Sequence, residues 1–284
     1  METMDPKELR AADSPQHPVF SVVVPAYNAR STIGSTVESV LQNDVPLEVL
    51  VVDDGSADPI QAEDCPHGPV QLIRRETNGG SARARNRGIL AARGHWIAFL
   101  DADDEYEPGR LDAADRFLAS TPRLDGLITD TVLLWPDGSS EVAAPRPNEE
   151  GLLHLRTGYV AGAIVLSRDV FEDVGLYDPH WQLQEDEDFC LRVLLSGARI
   201  GYIPRPAYVY RINLSGRTQG ADPIKRCNYS RDVHLSNAVR PAIPLTTRGL
   251  LLARALKWER QALPHRLNKV IGRGGSGHGQ GRSK

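Results

Sequence analysis

Three features of the sequence predict an α/β domain with a mostly parallel, Rossmann-like central sheet flanked by helices. Short β-branched runs end abruptly in polar loops, helical stretches separate those runs, and three of the loops carry clustered functional side chains. Phe20-Ser-Val-Val-Val24 is the first run. It is continuously apolar and stops at Pro25, the pattern of a strand buried on both faces. Residues 31–42 place Ile33, Val37, Val40 and Leu41 on one helical face, with Ser31 or Thr32 as N-cap. Residues 47–52 form a second buried strand, ended by Asp53-Asp54-Gly55-Ser56, and 70–73 a third. Residues 79–93 open with two glycines and continue as an Ala/Arg-rich helix. Residues 95–100 are a fourth strand, ended by Asp101-Ala-Asp103-Asp104, and Pro108 precedes a helix over 110–119. Right-handed crossovers put the loops that follow parallel strands on one edge of the sheet, where open α/β sheets bind ligands. The loops 25–28, 53–56 and 101–104 are therefore expected to converge.

The second half is less regular. Residues 126–129 and 132–135 read as strands joined to a turn at 136–138, and 136–151 as a mobile loop. Residues 169–174 form a short helix ended by Gly175, and 186–195 a longer one. Residues 199–203 and 207–210 are extended, and 222–270 is helical in parts. No internal repeat is present.

Composition narrows the function. The chain has 284 residues, 40% hydrophobic and 25% charged, the profile of a soluble globular protein. Its three cysteines, Cys65, Cys190 and Cys227, are far apart and contain no C-x-x-C pair, which argues against a zinc site or a disulfide framework and for a reducing compartment. The polar N-terminus has no signal-peptide core, and no apolar run reaches the roughly 20 residues of a membrane span. A cytoplasmic location, peripheral at most, is expected. Residues 221–284 hold 13 Lys+Arg against 3 Asp+Glu, net +10, whereas the rest holds 20 against 34, net −14. No nucleic-acid motif accompanies the basic segment. Its run RGLLLARALKWERQALPHRL, with Leu250, Leu251, Leu256 and Trp258, suits a helix packed on the acidic body, and is also a candidate for peripheral contact with anionic lipid.

The chemistry concentrates in three places. Asp101, Asp103 and Asp104 repel one another, and at a strand end in a crevice they call for a hard divalent cation such as Mg²⁺ or Mn²⁺. Glu185, Asp186, Glu187 and Asp188 open a helix. The macrodipole accounts for one or two of them, leaving at least one to act as a base in a cleft. Asn78-Gly-Gly80 leaves backbone N–H groups open to an anion at a helix start, and one of Arg83, Arg85 and Arg87 is expected to meet the phosphates of a ligand or the acidic loops.

The segments PAYNA, VVDDGS, NGGSARARNRGI and FLDADD, in this order and spacing, followed by AGAIVLSRDVFEDVGLYD and EDEDFCLRVLLSG, resemble the family-2 glycosyltransferases of the GT-A fold. The likeness covers roughly residues 19–215. It implies a GT-A domain at 19–220, while composition gives the parts outside it as a disordered leader at 1–18, a basic helical extension at 221–271 and a flexible tail at 272–284. It further implies an inverting transfer of sugar from a nucleoside-diphosphate sugar, with uridine favoured, to an acceptor hydroxyl on a glycan, a lipid-linked or another carrier. By position, Pro25, Tyr27 and Asp54 match residues that hold the nucleobase, with Asn28 beside them. Arg85 and Asn86 match the helix start. Asp101 matches the ribose- or phosphate-side acid, Asp103 the ligand of Mn²⁺ or Mg²⁺, Asp186 the general base and Glu185 its support. Gln182, Gln184 and Trp181 are candidate acceptor contacts. One departure stands out: Tyr210-Arg211 is followed by no His, so a diphosphate contact there would come from Asn213, Ser215 or Arg217, or be absent. Two alternatives stay open. One is a sugar nucleotidyltransferase, disfavoured because PAYNAR replaces a Gly-rich loop after the first strand. The other is a non-catalytic nucleotide-sugar-binding protein, which would not need the acids at 103 and 186.

Overall fold

A computed structural model describes residues 18–145, 161–214, 220–241 and 243–274, with side chains to 266. Expectations for residues 1–17, 146–160, 215–219 and 275–284 lie outside the described residues. Strand β1 (Phe20–Ala26) pairs in parallel with β2 (Leu47–Asp53) and β4 (Trp96–Phe99), and β2 pairs in parallel with β3 (Val70–Arg74). Continuous apolar runs form these strands because both faces are covered. Val22, Val24, Val49 and Val51 lie with Ile33, Val37 and Val40 of helix α1 (Ile33–Leu41) in one core cluster. Val23, Leu50 and Val52 lie with Ala84 and Ile89 of helix α2 (Ser81–Ala91) in another. Each such valine, leucine or isoleucine, fully buried, contributes about 1.5–3 kcal/mol relative to exposure.

Among the described residues nine strands form one sheet. Beyond β4 come β8 (Ile164–Ser167), β6 (Gly126–Leu134), β9 (Ile200–Arg211) and the two-residue β5 (Glu105–Tyr106), with β7 (Ser140–Ala143) paired to β6. The β4–β8, β8–β6, β6–β7 and β5–β9 pairings are antiparallel and β6–β9 is parallel. The parallel half thus carries the three polar loops, and the sheet is mixed beyond it. Two expectations are corrected. The strands expected at 126–129 and 132–135 are one strand interrupted by a register shift around Asp130, and those expected at 199–203 and 207–210 are one strand passing through Pro204 and Pro206. A bulge in the ladder looks like a break in a sequence pattern but leaves the strand continuous. The Pro-rich stretch expected as a loop contains β7, the partner of β6.

Helices α3 (Arg110–Ser120), α4 (Arg168–Val174) and α5 (Glu185–Leu195) flank the sheet. Helices α6 (Pro223–Ala238) and α7 (Leu245–Gly274) follow, α7 running through Pro264. They rest on α5 through a cluster of Trp181, Leu191, Val233, Ala238, Ile243 and Leu251. Trp181, a candidate acceptor contact by sequence, is therefore a core residue at this seam. No described helix is long and apolar enough to cross a membrane.

Candidate active site

The carboxyl ends of β1, β2 and β4 and the start of α2 enclose a cleft of about 500 Å³. Seven of the residues singled out by sequence line it: Pro25, Tyr27, Asn28, Asp54, Arg85, Asp101 and Asp103. Tyr27 is half exposed, an aromatic face at the lip on which a ring can stack. Asn28 adopts a positive φ of 51°, which Asn tolerates. Its N–H donates to Ser56 Oγ at 2.8 Å while its Oδ1 accepts from Ala57 N at 3.1 Å, zipping the first loop to the second.

The two aspartates after β2 divide their work. Asp53 is fully buried and accepts from Ser56 N, Ile60 N and Arg74, so that burial, which raises its carboxyl, is outweighed and it falls below its ordinary range. Asp54 faces the cleft. It accepts from Gly79 N and Gly80 N at 3.0 and 2.7 Å and pairs with Arg75. The amides at the start of α2, expected to await a ligand anion, are thus engaged by a carboxylate of the chain itself.

Helix α2 points Arg85 inward and leaves Arg83 and Arg87 exposed, as the helical divergence of alternate positions requires. Arg85 donates to Asp101 Oδ1 at 2.8 Å and to Glu185 Oε1 at 3.0 Å, joining β4 to α5 beneath the cleft. Burial acts to lower this guanidinium, but Asp101, Tyr177, Glu185 and Asp186 hold it well above its ordinary value. Asn86 exchanges hydrogen bonds with the backbone of Tyr177 in both directions, fixing the segment that leads to α5.

The loop after β4 is anchored from below. Thr32 occupies the N-cap position of α1, but its hydroxyl makes no capping bond. It donates to Ala102 O at 2.6 Å instead, and Thr36 Oγ1 lies 3.0 Å from both Ala102 O and Asp104 O. Asp104 is buried, accepts from the Tyr208 hydroxyl and from Arg211 N at 2.7 Å, and is pushed up to about 8 by burial and by Asp101. The third acid is therefore a tie to β9. Asp103 remains exposed in the cleft, its carboxyl raised by the surrounding walls and then by Asp101. A cation there would relieve that repulsion. Among the described residues no group of three or more His, Cys, Asp or Glu surrounds a common point. A metal at Asp103 would have to be completed by substrate oxygens and water, an arrangement that Mg²⁺ favours.

The four acids of α5 point different ways. Glu185 is buried and accepts from Arg85 and from the Ser81 hydroxyl. Asp188 pairs with Arg192 at 2.9 Å and accepts from Asn237 Nδ2 of α6 at 3.0 Å. Glu187 accepts from Gln184 at 3.2 Å. Asp186 is partly exposed, accepts from Glu187 N at 2.9 Å, and lies within electrostatic reach of Arg85 and of Tyr210 on the cleft wall. Neither Glu185 nor Asp186 is among the residues lining the cleft, and Glu185 connects to it through Arg85. Gln184 is committed to Ser230 at 2.7 Å and to Glu187, and Gln182 is exposed. Asn213 lines the cleft beside Arg211, while Ser215 and Arg217 lie outside the described residues. Sequence reading missed Arg75, and it quoted Thr32, Ser56, Ser81 and Tyr210 without the roles they take here. Those roles rest on partners distant along the chain, and only the third dimension brings them together.

Comparison with known proteins gives the family and the fold. The model of the glycosyl transferase family 2 matches residues 21–123, the span holding all three loops and α2. The succinoglycan biosynthesis protein ExoO of Rhizobium meliloti is 36% identical over 214 residues, covering 69% of this chain and 61% of that protein. The amylovoran biosynthesis glycosyltransferase AmsB of Erwinia amylovora is 30% identical over 213 residues, covering 68% and 69%. The chain thus spans under two thirds of the length of ExoO. Among solved structures, S. aureus TarS 1–349 in complex with UDP-GlcNAc superposes with a TM-score of 0.66 at 21% identity, covering 84% of this chain and 72% of that one, a likeness of fold. With its loops, its α2 and these relatives taken together, the chain belongs to glycosyltransferase family 2.

Proposed function

We propose that this protein transfers a sugar, with inversion, from a nucleoside-diphosphate sugar to an acceptor hydroxyl. The observation that carries the reading is the convergence of Tyr27, Asp54, Arg85, Asp101 and Asp103 on one cleft. Uridine is the favoured base, supported by the UDP-GlcNAc bound by the TarS fragment of like fold. Tyr27 would stack on the base, with Pro25, Asn28 and Asp54 around it. Asp103 would hold Mn²⁺ or Mg²⁺, a cation that offsets the charge of the departing diphosphate. Arg85 holds Asp101 in place and puts a fixed positive charge under the same region. Asp186 takes the proton of the acceptor hydroxyl as its oxygen attacks the anomeric carbon, and the bond to the diphosphate breaks on the opposite face. Direct displacement inverts the anomeric centre without a sugar–enzyme bond. Glu185, buried against Arg85 and Ser81, positions the helix start from which Asp186 acts. The acceptor class expected is a glycan or lipid-linked saccharide, in line with the polysaccharide biosynthesis named for ExoO and AmsB.

The test is release of nucleoside diphosphate from a panel of nucleotide sugars, with Mn²⁺ and with chelator. Asp103→Ala should abolish metal-dependent release, and Asp186→Asn should lower transfer about 10²–10⁴-fold while donor binding persists. Donor binding without turnover by the wild type across an acceptor panel would favour a non-catalytic binder, and no binding of any donor would sink both readings.

A further inference from the structure

Helix α7 has two apolar faces, and the fold uses one. Leu251, Ala255 and Ala262, spaced by four and seven, are buried, and Leu251 belongs to the cluster shared with α6 and α5. Leu245, Leu252, Leu256 and Leu263, spaced by seven, four and seven, fall within about 40° of one another around a 3.6-residue helix, roughly 100° away from the first face. They are 81%, 42%, 62% and 53% exposed. Four leucines in one line on a surface is an apolar patch that water disfavours.

The charge around that stripe says what fits it. Residues 245–266 hold five Lys+Arg and one acid, Glu259. That acid is already bridged to Arg231 at 2.7 Å and to Arg266. Exposed Arg260 and Lys257 lie on one side of the stripe and partly exposed Arg248 on the other. Packing two such faces together would bring two basic sets into register with no uncommitted carboxylate between them. An anionic surface meets both requirements at once. We propose that this face docks α7 on an anionic lipid surface, the leucines entering the headgroup–acyl boundary and the basic side chains meeting the headgroups. The placement is independent of the transferase reading. It also divides the basic segment's two expected roles between two faces of one helix, since one face packs on the protein and the other is turned outward.

The test uses the full chain and sedimentation with vesicles of phosphatidylcholine alone or mixed with phosphatidylglycerol, at low and high salt. The wild type should bind the anionic vesicles, about tenfold or more tightly than neutral ones, and lose affinity as salt rises. The double variant Leu252→Glu/Leu256→Glu, at exposed positions outside the core, should lose that binding at least tenfold while its unfolding midpoint stays that of the wild type. Absence of binding to anionic vesicles, or equal binding by the double variant, would overturn the proposal. So would a wild-type dimer in light scattering that the same variant converts to a monomer, which would assign the face to a second copy.

Discussion

At the scale of single residues, the cleft depends on charges that satisfy one another out of water. Arg85 is about 3% exposed and lies between Asp101 and Glu185. Removing one member of a buried ion network leaves the others uncompensated, at a cost of about 3–5 kcal/mol. Arg85→Met should therefore lower the unfolding midpoint measurably in the absence of any ligand, and calorimetry of the apo-protein checks it. A midpoint equal to that of the wild type would show that the pair is not what holds β4 to α5. Gly55 is a second such residue. Its φ is +75°, and a Cβ there would lie 2.7 Å from the backbone at Thr77 and Asn78. Gly55→Ala should cost about 1–3 kcal/mol and loosen the contact between the Asp54 loop and the start of α2. That contact aims Asp54, so donor affinity should fall as well, measured by titration with a nucleoside diphosphate. The motifs carrying these residues were legible in the sequence because each is a short run after a buried strand. Their partners were not. Nothing local marks Arg75 as the partner of Asp54 or Ser81 as that of Glu185, since these pairs are 21 and 104 positions apart.

At the scale of elements, α5 is held between the sheet and α6. Glu187 on α5 is pushed up to about 7 by burial and then by neighbouring Asp186, against the partial relief of Ser230, Arg254 and Gln184. His234 lies 3.9 Å away, its imidazole lowered by burial and so mostly neutral near pH 7. The sign of the linkage follows. A carboxyl raised on folding binds its proton more tightly in the native state, so its share of stability is complete at low pH and is lost as pH climbs from the ordinary glutamate range through about 7. Glu187→Gln should match the wild type in unfolding midpoint near pH 4 and exceed it at pH 8, as a thermal-denaturation series would read. A difference that stays constant across this range would remove Glu187 from the account. Element existence was readable because β1, β2 and β4 are continuous apolar runs and α1 is amphipathic. Element continuity was not, because the register shift in β6 and the prolines of β9 break the pattern without breaking the ladder.

For the whole molecule, the sheet sets the parallel half, with its loops, beside a half of mixed pairing whose β9 supplies Tyr210, Arg211 and the anchor of Asp104. Helices α6 and α7 lie outside the family match yet cover Trp181 and Leu191 and bind Asp188 and Gln184 through Asn237 and Ser230. A chain ending at residue 220 would expose that apolar seam. It should unfold at lower temperature and less cooperatively than the full chain, and it should lose activity along with stability because the start of α5, the proposed place of the base, loses its support. Full activity in such a truncation would confine the extension to docking alone.

The α/β class, the three loops that meet and the family were legible before any folding was known, because these rest on local patterns: apolar runs, breakers and acids at fixed spacing. The surroundings of each acid emerge only from the folded chain. Asp103 faces the cleft while Asp104 ties down β9. Asp54 takes the amides that an external anion could have used, Glu185 turns inward to Arg85, and one face of α7 is spent on packing while another is left open. Neighbouring carboxylates are equivalent in sequence and become different only when burial and partners, set by residues far away along the chain, separate their environments.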